Sequence, residues 1–138
     1  APTVFNFYFP DFSPSGPLSD AGLFGPEHQI TTRSQVMSAT NRIWSEVYRN
    51  HPNSNNIDAN DVVPDLTDEL LLAEDPPALV DHLDLLLMGG QMSDTMRTTL
   101  IDHVAAVDLD EGNKGDGMQR VLDAIYLIVS SPEGMTQR

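Results

Sequence analysis

The sequence predicts an all-α fold, a small bundle of about five helices preceded by an irregular N-terminal arm rich in proline and aromatic residues. Three observations lead there. Apolar residues recur at spacings of three and four from Val36 to Val129, the period of a helix with one buried face. Nothing alternates at period two for long enough to build a sheet, and Val4–Phe9 is the one weak strand candidate. The composition also changes near residue 31: residues 1–30 hold six of the nine aromatics and five of the ten prolines. Proline at that density breaks helices and strand ladders, yet six aromatics want burial, so the arm is expected to be irregular but docked. Residues 1–30 (arm) and 31–138 (bundle) together make one domain, which suits a chain of 138 residues.

The elements follow in order. Pro14-Ser15-Gly16-Pro17 reads as a turn. Thr31 or Thr32 caps a helix to about Asn50 that carries Val36, Met37, Ile43, Trp44, Val47 and Tyr48. His51-Pro52 and the run Asn53-Ser54-Asn55-Asn56 end it in a polar loop. Pro64 suits the first position of a second helix, with Leu66, Leu70 and Leu71 on one side. Asp75 caps a third, with Pro76 in its first turn, Gly89-Gly90 as its stop, and Leu79, Val80, Leu83, Leu86 and Leu87 as its buried face. Ser93 caps a fourth, with Asp94 in its first turn and Met96, Leu100, Ile101, Val104 and Val107 repeating. The acidic loop Asp108–Gly117 leads to a fifth helix from about Met118 to Ser130, bearing Val121, Leu122, Ile125, Ile128 and Val129. Ser131-Pro132-Glu133 looks like the cap and first turn of a short terminal helix.

Charge and composition exclude several functions. A formal net charge of −14 repels nucleic-acid backbones and anionic membrane surfaces. No apolar run approaches the ~18 residues that cross a bilayer, and no signal-peptide pattern lies within these residues. With no cysteine there is no disulfide, thiol nucleophile or thiolate metal site. Lys114, the single lysine, sits in neither a P-loop nor a Schiff-base setting.

Five features could carry chemistry. From Asn50 to Met96 there is no Lys or Arg against ten Asp and Glu, with Asp58, Asp61, Asp65, Asp68 and Glu69 the densest part. Such a run most often coats a solvated face. In the loop from Asp108 to Gly117, Asp108, Asp110, Asn113 and Asp116 are candidate calcium ligands, but the glycines and Gln119 fall out of register with an EF-hand. The simpler reading is an interhelix loop whose Asp116 caps the last helix. His82 and His103 border apolar faces and could meet near Asp81, Asp84 or Asp102, although edge histidines bonded to polar neighbours are commoner. No Gly-x-Ser-x-Gly elbow marks a serine nucleophile. Phe5, Phe7, Tyr8, Phe9, Phe12 and Phe24 are the candidate partner-contact residues, and packing into a core or interface is preferred to sugar stacking.

The run Val4-Phe5-Asn6-Phe7-Tyr8-Phe9-Pro10-Asp11-Phe12-Ser13-Pro14-Ser15-Gly16-Pro17-Leu18, continuing Ala21-Gly22-Leu23-Phe24-Gly25-Pro26-Glu27-His28-Gln29-Ile30, resembles the C-terminal part of the DUF1800 family. That part carries a similar run of Asn-Phe, Pro-Asp, Pro-x-Gly and Ala-Gly-Leu, followed by Pro-Glu-x-Gln. The stretch Leu85–Ser93 and the ending Ala124–Glu133, then Gln137-Arg138, look similar too. Gly134 departs from the pattern, which usually has a large aromatic there. The resemblance implies a C-terminal fragment of a longer, exported bacterial protein of unknown activity, and it carries over no catalytic residues.

The expected function is therefore that of a non-catalytic helical domain that packs on the rest of its parent or on a partner protein, with no cofactor. One alternative is an enzyme part that lends Asp58 and Asp61, or His82 and His103, to a site completed by the parent's N-terminal half. Another is a calcium- or carbohydrate-binding module.

Overall fold

The computed structural model describes residues 8–30, 33–55, 57–109 and 117–135, and these are helical with no strand among them. Helices α1 (Pro17–Asp20), α2 (Arg33–Arg49), α3 (Thr67–Leu71), α4 (Pro76–Leu83), α5 (Asp94–Ala106) and α6 (Met118–Ser130) follow in order. A 3₁₀ turn covers Pro26–Ile30, and a π-helical turn, Asp84–Met88, continues α4. The chain divides into two compact units, Ala1–Asn41 and Arg42–Arg138.

The larger unit is built around α6. Its Met118, Val121, Leu122, Ala124 and Ile128 are all buried, because a 13-residue helix with apolar side chains every third and fourth position can be covered along its length. Helices α3, α4 and α5 pack on it, and α4 also packs on α5. They contribute Leu79, Val80 and Leu83 from α4 and Leu100 and Val104 from α5, with Leu66 and Ala73 flanking α3. Val47 and Tyr48 at the end of α2 lean on the same core.

Side-chain caps set the starts of α4 and α5. Asp75 Oδ1 accepts the Ala78 N–H at 3.2 Å and starts α4, with prolines in the first turn where no donor is missed. Ser93 Oγ accepts the Met96 N–H at 3.2 Å and starts α5. Arg120 ties the end of α5 to the rest: its guanidinium donates to the carbonyls of Val107 (2.6 Å), Ala73 (3.0 Å) and Ala105 (3.4 Å). A cation is favoured where unpaired helix C-terminal carbonyls gather.

Four expectations are corrected. Leu86 and Leu87 are exposed, at 58% and 43%, rather than buried. In a π-turn each residue advances by less than the α-helical 100°, so the apolar phase set by Leu79, Val80 and Leu83 is lost after Asp84, and Met88 is the residue that returns to the core. Pro64 does not open α3. That helix starts at Thr67, whose N–H and hydroxyl both donate to Asp65 Oδ1, at 3.1 and 2.6 Å. Leu71 does not share a side with Leu66: it is 78% exposed, five positions on in a helix of one turn. The cap position of α6 is Gly117 in the left-handed region (φ 79°), with no side-chain cap bond; Asp116 lies outside the described residues.

Gly117 has a second reason to be glycine, since a Cβ there would collide with the Cβ of Ala73. The terminal segment forms a single turn within the described residues. Ser131 Oγ accepts the Gly134 N–H at 2.9 Å, and a Cβ on Gly134 would strike the Ile128 carbonyl.

Candidate functional site

The arm is irregular in outline but closed by its own hydrogen bonds. The Gly25 N–H donates to the Phe12 carbonyl at 2.8 Å, and the Ser13 hydroxyl donates to the Leu23 carbonyl at 2.8 Å. The Gln29 carboxamide reaches the Phe9 carbonyl at 3.1 Å and the Pro26 carbonyl at 3.2 Å. Between these ties the chain reverses through Gly16 and Gly22, both at positive φ, and through α1. Proline supplies fixed φ values but no donors, so side chains and glycine N–H groups take over the task of satisfying carbonyls.

This frame holds aromatic side chains outward. Phe9 is 68% exposed and Phe24 65%, Tyr8 is at the edge of exposure, and Phe12 is half-buried. Phe5 and Phe7 lie outside the described residues, as does most of the strand candidate Val4–Phe9. Aromatic surface on a hydrogen-bonded frame is suited to contact, because the backbone entropy of ordering it has already been spent.

The second candidate is a polar cluster that the sequence did not single out. Asp123 Oδ1 accepts the Tyr48 hydroxyl and the Gln119 carboxamide, both at 2.5 Å, while His103 Nε2 stands 3.4 Å from Asp123 Oδ2. Trp44 stacks on Tyr48 with ring centroids 5.4 Å apart, and Tyr126 meets its edge at 5.8 Å. Burial, then the bond to Asp123 and that carboxylate's charge, holds the Tyr48 phenol above its usual range. The cluster joins α2, α5 and α6, and its main acceptor oxygen is filled by two donors. That is the arrangement of a structural pin. Gln119 and Asp123 are four apart on α6, a spacing visible in the sequence; Tyr48 is 75 residues from Asp123, a pairing that only folding makes.

The sequence candidates for chemistry fall into separate local pairings. His82 Nε2 lies 3.0 Å from Oε1 of the buried Glu69 and joins α4 to α3, while His103 faces Asp123. Asp58 and Asp61 close on each other, the Asp58 N–H donating to Asp61 Oδ2 at 2.8 Å. Among the described residues no three His, Asp or Glu side chains converge to hold a metal ion. Of the calcium candidates, Asp108 is exposed, and Asp110, Asn113 and Asp116 lie outside the described residues; the base of their loop is shut by the Gly117 N–H on the Leu109 carbonyl at 2.9 Å. An apolar groove of about 220 Å³ between α2, α6 and the segment before α3 is lined by Val47, Val62, Pro64, Leu66, Leu122 and Ile125. That is below the usual ~300 Å³ of a small-molecule site.

No helix among the described residues is long and apolar enough to cross a membrane. Comparison of the chain with family models, curated proteins and solved structures finds no match.

Proposed function

We propose that this chain is a non-catalytic helical domain of an exported bacterial protein of the DUF1800 type, and that its aromatic arm packs against the rest of that parent. The observation that carries the reading is the pair Phe9 and Phe24, exposed on a backbone whose carbonyls at Phe9, Phe12 and Leu23 are already tied within the arm. Large rings on a preformed frame lose little entropy on docking, and each buries ~150 Å² or more. His82 and His103 each pair with a different carboxylate, Glu69 and Asp123, an arrangement that gives no support to a site shared by the two histidines.

The test is association in trans. The chain and the remainder of the parent, produced separately, are expected to co-elute. Phe9→Ser/Phe24→Ser is expected to abolish this while moving the melting temperature by no more than ~2 °C, since exposed side chains contribute little to folding. Failure of the unaltered chain to associate, or undiminished association of the double variant, overturns the reading.

A further inference from the structure

The stretch from Asn50 to Met96, acidic and free of Lys and Arg, reads in the sequence as a solvated face. The fold places apolar surface in it. Leu85, Leu86 and Leu87 are three consecutive leucines exposed at 68%, 58% and 43%. A regular α-helix would have carried Leu86 and Leu87 on the stripe of Leu79 and Leu83; the π-turn Asp84–Met88 turns them out. The turn is held firmly. Gly89 ends it in the left-handed region, the Gly90 N–H donates to the Asp84 carbonyl at 3.1 Å, and the Met92 N–H donates to Asp84 Oδ1 at 3.0 Å. The leucines therefore form an apolar ridge on a hydrogen-bonded turn, with exposed area on the order of a few hundred Å².

The charge around the ridge is negative in excess. Asp81 and Asp84 precede the leucines, and Asp94 opens α5. All three lie within electrostatic reach of Arg97, which forks onto Asp81 at 2.6 and 2.7 Å. Three carboxylates against one guanidinium leave two negative charges in excess. The surface thus combines an apolar ridge with an acidic border, and its complement is an apolar stripe with a cationic border.

We propose that the Leu85–Leu87 ridge is a docking site for a cationic amphipathic helix, its apolar stripe on the leucines and its Lys or Arg side chains beside Asp84 and Asp94. The site is independent of the aromatic arm. The ridge is small by the standard of stable interfaces, about 1,200 Å² or more, so the association is transient and micromolar. The acidic border repels anionic lipid, which sets this partner apart from a membrane surface.

The experiment uses the whole chain and a labelled helical peptide of about 14 residues, with leucines along one stripe and lysines elsewhere, read by fluorescence anisotropy. A second peptide replaces every lysine by glutamate. The lysine peptide is expected to bind at least tenfold more tightly than the glutamate peptide, and Leu85→Ser/Leu86→Ser/Leu87→Ser is expected to weaken it about tenfold or more with all carboxylates kept. Circular dichroism checks that the variant melts with the unaltered chain. If it does not, the single variant Leu85→Ser, at the most exposed position, takes its place. Phe9→Ser/Phe24→Ser is expected to bind the lysine peptide normally, so failure of the arm reading and failure of this one are read separately. Equal binding of the two peptides, or undiminished binding by the leucine variant, overturns the proposal. Sedimentation showing a dimer of this chain that the leucine variant dissolves also overturns it, because the ridge's occupant would then be a second copy.

Discussion

Replacing Gly117 by alanine tests how α6 is seated. Two costs meet at this position. Gly117 has φ 79°, and an L-residue in the left-handed region loses about 1–2 kcal/mol. Its Cβ would also overlap the Cβ of Ala73, which is 1% exposed and cannot step aside into solvent; overpacking a closed site costs ~1–3 kcal/mol. The expected loss is about 3 kcal/mol, or ~10 °C in melting temperature for a domain of this size. Gly89→Ala supplies the reference, because Gly89 has φ 64° but open space where its Cβ would stand. Its cost is the conformational part alone, about 1–2 kcal/mol. Ala73→Gly combined with Gly117→Ala removes the overlap, so a double-mutant cycle by urea denaturation is expected to show a coupling of about 1–3 kcal/mol. If Gly117→Ala is no worse than Gly89→Ala, or if the two substitutions add without coupling, the close approach of Gly117 to Ala73 is not what seats α6.

Arg120→Met keeps an unbranched apolar stem and removes all three donors to Val107, Ala73 and Ala105, so chemical denaturation is expected to show a loss of about 2–4 kcal/mol, while Arg120→Lys restores only part of it because an ammonium cannot fork. The Tyr48 phenol is held above its usual range, so its contribution is complete below about pH 10, where the unfolded chain's tyrosines begin to ionise, and is lost as pH rises towards the folded value. Absorbance at the tyrosinate band is therefore expected to show one of the three tyrosines titrating late, and Tyr48→Phe is expected to remove both that late step and its share of the alkaline decline in melting temperature. Ser93→Ala removes the cap on Met96 and the 2.7 Å bond from its hydroxyl to Glu133, with an expected cost of about 1–2 kcal/mol and faster hydrogen exchange at Met96.

The elements that local chemistry controls were legible residue by residue. Asp75 and Ser93 cap as their positions promise, and α6 runs from Met118 to Ser130 as its periodicity predicts. The misses share one cause. Leu86, Leu87 and Leu71 are apolar residues at plausible helical spacing, and their burial depended on the register of the backbone at Asp84 and Thr67, which no periodicity reveals. The arm's aromatics could be singled out from composition, but not that Ser13, Gly25 and Gln29 would close the backbone around them, since those ties span 10, 13 and 20 residues. Histidine pairing was foreseen in kind, while the partners Glu69 and Asp123 come from other helices.

The amino-acid sequence by itself determined the all-α class, the capped starts of α4 and α5, the acidic field and the aromatic arm, because these follow from interactions within a few residues or from counting charges. The tertiary structure alone decided which apolar side chains remain outside. A helix boundary or a π-turn is settled by the balance of packing across several elements: Gly117 against Ala73, Arg120 collecting three carbonyls, Tyr48 on Asp123. A shift of one residue in that balance rotates every later side chain by about a quarter turn. That rotation is why Leu86 and Leu87 join Leu85 on the surface of an acidic stretch.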